Sequence, residues 1–346
     1  LHKPQAIEGG RIRYSGSPIP LSFAERNYLH RVLLVTLADP DAFKVGETLA
    51  STKGHVVHET ELFQLIRYEP VTEKVYARPL LLIPPWINKL YILDLQPKSS
   101  LVKWLTEQGF AVYIVSWKNP REELRTYGMD SYVEQGVLPA MRKVDEFHGN
   151  DGINVVGYCI GGTTLSLTQA WLAKTKQENP AKSCTFFTAL TDFEDPGPLK
   201  SFIDEGFISG IMIEAQRKGY LDQRIMARTF SYLRPNDLVY GPAVKAYLLG
   251  EPRPKFDLLF WNGDQTRMPK ALHLFYLRNF YKDNALALGQ LELEQVLVHD
   301  ETNRSIAHML VEMKFGEFPM ALGVIYDDPR PTYEDRSEEH TSELQS

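Results

Sequence analysis

The stretch VVGYCIGGTT, Val155 to Thr164, decides how this chain is read. Cys159 stands midway between Gly157 and Gly161, with Gly162 directly after. An apolar run, INVVGY (153–158), precedes it, and TTLSLTQAWLAKTK (163–176) follows with the composition of a helix. A reactive side chain held between a strand and a helix needs small neighbours two positions either way, because anything larger meets the adjoining strand and helix. Gly-x-Cys-x-Gly in that context is a nucleophile elbow with a thiol in the place more often taken by serine.

Working outward, the segments around the elbow alternate. RPLLLIPP (78–85) reads as a buried strand closed by two prolines. SSLVKWLTEQGF (99–110) reads as a serine-capped helix, AVYIVSW (111–117) as a strand, and SYVEQGVLPAMRKVDEFHG (131–149) as a helix despite Pro139. CTFFTAL (184–190) reads as a further strand. Near-continuous apolar strands alternating with helices predict an α/β fold, with a parallel sheet covered on both faces. Residues 61–192 form the expected core, preceded by an N-terminal segment, 1–60. From residue 193 to 293 the chain is rich in Phe, Tyr, Leu and Met, with turn signals at 194–197, 234–236 and 262–264, and reads as a helical cap.

Composition narrows the function. The chain has 346 residues, 43% hydrophobic and 24% charged, which suits a globular protein. A net charge of -6 without basic clusters argues against nucleic-acid binding. No apolar run reaches the ~18 residues of a transmembrane helix. Two cysteines are too few for a disulfide framework and fit a reducing, cytoplasmic setting. The opening LHKPQAIEGG has neither Met nor a signal pattern and reads as internal to a longer protein. Phosphate-cradling glycine patterns and metal-ligand spacings are missing, so no cofactor is expected.

The chemistry expected at Cys159 is acyl transfer. A thiol at a helix N-terminus is expected to have a lowered pKa. Cys184, in an apolar strand, reads as core. The backbone N–H of Ile160 is the first expected oxyanion donor. A second would come from the loop after residue 83, where Pro84 and Pro85 have no N–H, leaving Trp86 or Ile87. For Trp86 two readings stand: a donor, or an aromatic ring that packs the loop down.

Long motifs carry a family resemblance. LLLIPPWINKLYILDLQPKSSLVKWLTEQGFAVYIVSWKNP (80–120), VVGYCIGGTTL (155–165), LTDFEDPG (190–197), FSYLRPNDLVY (230–240) and FDLLFWNGDQTRMP (256–269) resemble the poly(3-hydroxyalkanoate) synthases, most closely the single-polypeptide class I type. The resemblance runs from about residue 10 to Leu293. It implies an α/β-hydrolase-type core with a cap, a homodimer, and residence on cytoplasmic polyester granules. It also implies a substrate, (R)-3-hydroxyacyl-CoA, whose acyl group Cys159 takes and passes to a growing polyester. CoA enters as part of the substrate, not as a cofactor.

The family's Asp and His follow two further core strands, in segments resembling Arg-Glu-Asp-His and Gly-His-Ile-Ala-Gly, and neither segment is present. The core is therefore expected to be truncated before its last strands, with little activity. Four histidines follow Cys159: His273 in a cap helix, where it reads as structural, then His299 beside Asp300, His308 and His340. Residues 296–335 resemble instead the C-terminal end of a 2-oxoacid:ferredoxin oxidoreductase β subunit, within an unrelated tail spanning 294–335. RSEEHTSELQS (336–346) resembles a translated sequencing adaptor, so the chain reads as a chimera. Two other functions fit the elbow: a cysteine-dependent esterase or thioesterase, and a granule-associated protein without catalysis.

Overall fold

The structure, a computed structural model, describes residues 42–195, 203, 205–223, 225, 240–251 and 257–293. It also describes the course of the chain in strands at 5–7, 12–14, 296–298, 311–315 and 318–326. The main sheet has eight strands, numbered along the chain: β1 (Gly54–Glu59), β2 (Phe63–Tyr68), β3 (Leu80–Ile83), β4 (Val112–Trp117), β5 (Ile153–Tyr158), β6 (Ala181–Phe187), β7 (Val311–Phe315) and β8 (Phe318–Tyr326). Their order across the sheet is β7-β8-β6-β5-β3-β4-β2-β1.

The four central strands are parallel, as the apolar runs predict. Both flanks depart from an all-parallel sheet. β1 and β2 form an antiparallel hairpin that adds to β4, and β8 pairs antiparallel with β6. β1 left no apolar signature because five of its six residues are exposed. The hairpin of β1 and β2 also takes sheet residues from both sides of residue 60.

Alternation along the parallel strands divides the core. Leu81, Ile83, Tyr113, Val115 and Val155 face one side, packing with the helix α2 (Leu138–Phe147) and with α3 (Ile160–Thr175). Leu80, Leu82, Val112, Ile114 and Val156 face the other, against Val102 and Leu105 of α1 (Leu101–Glu107). Pro139 lies inside a helical run continuous from Met129 to Phe147, directly after a wider helical turn over Tyr132–Val137, the kind of irregularity at which a helix accommodates a proline. α3 is buried on every side from Ile160 to Leu172. Such a helix lies between layers rather than on a surface, and here β5 and β3, the helical turn at 132–137 and the strand at 296–298 pack against it.

In the cap, α4 (Glu205–Lys218), α5 (Asp257–Gly263) and α6 (Lys270–Phe275) are described, the last running on as a wider helical turn over Tyr276–Lys282. A two-residue ladder, Tyr220–Leu221 with Met268–Pro269, joins α4 to α6. Among the described residues, three hydrogen bonds fasten the cap's residues 261–266 to the loop after β3. Trp261 Nε1 donates to the Lys89 carbonyl (2.8 Å), Tyr91 Oη to Asp264 Oδ2 (2.9 Å), and Thr266 Oγ1 to the Trp86 carbonyl (3.2 Å).

That same loop ends on Asp94, 1% exposed. Its Oδ1 accepts from Ser100 Oγ (2.6 Å) and Thr52 Oγ1 (2.7 Å), and Ser100 Oγ in turn caps α1 by accepting from the Lys103 N–H (2.9 Å). One buried carboxylate thus holds the helix start and the approach to β1 together. Asp94→Ala is expected to cost about 3 kcal/mol, since it leaves one buried and one half-buried hydroxyl without their charged acceptor. Urea unfolding of the full chain measures this; a loss under about 1 kcal/mol would contradict the clamp.

Candidate active site

Cys159 sits where β5 ends and α3 begins, at φ 54° and ψ -130°. A non-glycine residue in that region is strained and persists only when its surroundings impose it. The surroundings do. A Cβ on Gly157 would run into the Cα of Gly162, and one on Gly162 would lie 2.6 Å from the Ala189 Cβ. A Cβ on Gly161 would meet the carbonyl oxygens of Ile83 and Pro84, the latter at 2.7 Å. All three glycines are therefore required by close backbone approach, and Gly161 seats α3 directly on the loop after β3.

Hydrogen bonds fix the turn. The Cys159 N–H donates to the Phe187 carbonyl at the end of β6 (2.8 Å), and the Cys159 carbonyl accepts from the N–H groups of Gly162 (2.8 Å) and Thr163 (3.2 Å). Thr163 Oγ1 donates to the Leu190 carbonyl (2.6 Å). The Ile160 N–H reaches the Cys159 sulfur. Of the loop residues named from sequence, Trp86 is buried; its Nε1 donates to Thr164 Oγ1 (3.0 Å) and its ring meets Tyr132 and Tyr276 edge-on. The ring therefore does pack the loop down, onto the first turn of α3. Among the described residues, the backbone N–H groups of Trp86 and Ile87 donate to no protein acceptor, so the packing role leaves both available.

The thiol itself is half-buried, and its pKa moves opposite to the expectation from the helix terminus. Burial pushes it up, and the Ile160 N–H pulls it only partly back. The sequence shows the helix end but not the cap that shields it. Three phenols lie close enough for a Cys159 thiolate to raise their pKa: Tyr276 and Tyr281 of the cap, in the same core cluster as Cys159, and Tyr158 of β5, in the cluster on the other face of the sheet. The two cap tyrosines and Thr164 were not legible as site residues; Tyr276 and Tyr281 sit in ALHLFYLRNFY, which has the pattern of ordinary helical core.

No described histidine is brought to Cys159. His273 is buried in α6, with Nδ1 unpartnered and its pKa lowered to about 4 by burial alone. His148 lies at the end of α2, bonded to Tyr113 Oη. His299, Asp300, His308 and His340 lie outside the described residues. Cys184 is buried in β6, in no disulfide. Among the described residues no group of three His, Cys, Asp or Glu is placed to hold a metal, and no helix is long and apolar enough to cross a membrane.

A strand order of β1-β2-β4-β3-β5-β6 with four parallel members, and a strained cysteine at the β5–α3 turn, define an α/β-hydrolase-type protein with a cysteine elbow. Sequence comparison sharpens this. Residues 25–105 match the family described as poly-beta-hydroxybutyrate polymerase N-terminus. The chain is 45% identical over 264 residues to a poly(3-hydroxyalkanoate) polymerase of Methylorubrum extorquens, covering 76% of this chain and 44% of that one. It is 46% identical over 259 residues to the poly(3-hydroxyalkanoate) polymerase subunit of Cupriavidus necator, covering 73% and 44%. This part of the chain belongs to the poly(3-hydroxyalkanoate) polymerase family, and the chain spans less than half the length of those relatives. Among solved structures, the epoxide hydrolase of Bacillus megaterium aligns with TM-score 0.35 at 13% identity over 70% of this chain and 79% of that one; the fold assignment rests on the strand order instead.

A thiol whose pKa is raised is neutral at pH 7 and becomes thiolate only as pH rises. Iodoacetamide labelling of Cys159 is therefore expected to climb with pH to an inflection above that of an exposed cysteine. An inflection at or below the exposed value would show that the helix terminus outweighs burial.

Proposed function

We propose that this chain carries the nucleophile half of a poly(3-hydroxyalkanoate) synthase site. The observation that carries the reading is the Cys159 turn: a strained thiol with the Ile160 N–H at its sulfur and Gly161 locked on the loop that holds Trp86 and Ile87. The Cys159 thiolate attacks the carbonyl carbon of a (R)-3-hydroxyacyl-CoA. The carbonyl oxygen takes the negative charge, held by the Ile160 N–H and by an N–H of the 86–87 loop. The carbon–sulfur bond to CoA breaks, the CoA thiolate leaves and takes a proton from water, and the acyl group remains on Cys159 as a thioester. Exchange of one thioester for another costs little free energy and keeps the acyl group activated for attack by the hydroxyl of a polyester chain end. Residence on polyester granules and pairing as a homodimer belong to the same proposal.

The second half of the cycle needs a base to deprotonate that hydroxyl. With the thiol neutral at pH 7 and no described histidine or carboxylate beside it, acylation is slow at neutral pH and the acyl-enzyme accumulates. Incubation with 3-hydroxybutyryl-CoA at pH 9 is expected to release about one equivalent of CoA per chain and to leave one 3-hydroxybutyryl group on the Cys159 peptide by mass spectrometry. Cys159→Ala should abolish both. Sustained polymer formation would overturn the stalled reading; steady release of free 3-hydroxybutyrate would identify a thioesterase, and failure to acylate would favour a non-catalytic role.

A further inference from the structure

The cap places a pair of phenolic hydroxyls over the elbow, and the acyl-transfer steps above do not use them. Tyr276 Oη donates to Tyr281 Oη at 3.0 Å, and among the described residues Tyr281 Oη has no other partner. The pair ends in a free hydrogen-bond donor. Its position relative to the thiol is fixed from two sides. The Tyr276 ring meets the Trp86 ring edge-on with centroids 5.5 Å apart, and Trp86 is bonded to Thr164 one turn into the helix that starts at Cys159. The Tyr281 ring packs on Phe193 with centroids 5.1 Å apart, just beyond the Leu190 carbonyl that Thr163 Oγ1 binds.

The rest of this wall is apolar. Phe193 and Phe280 stack at 5.1 Å, Phe275 meets Phe280 edge-on, and the indole N–H of Trp86 is already consumed by Thr164. Burial raises the pKa of both tyrosines, and the charge of a Cys159 thiolate raises them further, so both stay protonated donors beside the thiol. The Ile160 N–H is the hydrogen bond that reaches the sulfur, and Cys159 and Tyr276 pack against the same apolar cluster that contains Tyr281.

We propose that the Tyr276–Tyr281 pair is the specificity element for the 3-hydroxyl group of the acyl chain, with Tyr281 Oη donating to the hydroxyl oxygen and Tyr276 holding Tyr281 in place. The assignment rests on Cys159 being the acylated residue. It follows from matching polarity. The backbone N–H groups at residues 160 and 86–87 serve the thioester carbonyl, which leaves the 3-hydroxyl as the one further polar group of a short hydroxyacyl chain, facing a wall whose free donor is Tyr281. A site built to hydrogen-bond a substrate hydroxyl discriminates against the analogue that lacks it, because the protein group is then left unpaired.

The test compares acylation of Cys159 by 3-hydroxybutyryl-CoA and by butyryl-CoA, followed by intact-mass spectrometry of the full chain at pH 9. The parent is expected to prefer the hydroxylated thioester. Tyr281→Phe should reduce that preference about tenfold, and Tyr276→Phe by a smaller factor, about threefold, since it acts through Tyr281. Iodoacetamide labelling of Cys159 in each variant checks that the elbow has folded, and the two variants back each other if one is unstable. An unchanged preference in both phenylalanine variants would overturn the assignment while leaving Cys159 as nucleophile. A parent that labels with iodoacetamide but accepts neither thioester would overturn the acyl-transfer reading and this assignment with it.

Discussion

Everything at the centre of this molecule depends on three positions where no side chain fits. Gly157 and Gly162 approach backbone to backbone, and Gly161 lies on the carbonyl groups of Ile83 and Pro84. These contacts bring the start of α3 hard against the ends of β3 and β5, and the residue between them has no unstrained conformation left. Cys159 takes φ 54° as the result, which lifts its side chain off the sheet and turns the Ile160 N–H toward its sulfur. The strain is offset by the burial of α3 along most of its length and by the bonds from Thr163 and Thr164 to neighbouring segments. The same packing that stabilises the helix therefore imposes the geometry of the reactive group.

The cap adds the second constraint, which is electrostatic. Residues 261–266 are bonded to the loop after β3 at three points, so the aromatic helix that follows is held over the thiol. Shielding from water raises the cost of a thiolate more than one N–H recovers. A helix terminus alone would have suggested a thiol ionised at neutral pH; the enclosed terminus holds one that is neutral until something removes its proton. That is a reason for a cysteine site of this kind to depend on a general base more than an exposed, already ionised thiol would.

What was legible in the sequence follows from the same physics. Strands buried on both faces must be apolar, so β3, β4 and β5 announced themselves, whereas β6, which alternates in burial over Ala181–Phe187, showed only its apolar end and read as 184–190; the glycine spacing at 157–162 could not be mistaken once a strand and a helix flanked it. β1 was silent because it is an exposed edge whose pairing comes from the backbone, not from side-chain pattern. Tyr276 and Tyr281 were silent for the opposite reason: in one dimension a tyrosine on a helix that packs inward looks like any core aromatic. Only the fold shows that its hydroxyl meets the thiol's surroundings. The pKa of Cys159 was misjudged because shielding by a cap some 120 residues downstream leaves no mark near the elbow.

The far edge of the sheet bears on whether a base can arrive. In a parallel sheet the carboxyl ends of the strands gather on one side, and functional groups are presented from the loops that leave them. Cys159 emerges on that side, beside Phe187 at the end of β6. A further parallel strand next to β6 would release its following loop there, within reach of the thiol. β8 occupies that edge but runs the other way: Leu322 pairs with Phe187, and Tyr326 pairs with Ser183. Its carboxyl end therefore lies toward the start of β6, on the side away from Cys159. An antiparallel strand in this register satisfies the backbone hydrogen bonds along β6 as well as a parallel one would, and it places its amino-terminal half, not its carboxyl end, on the Cys159 side.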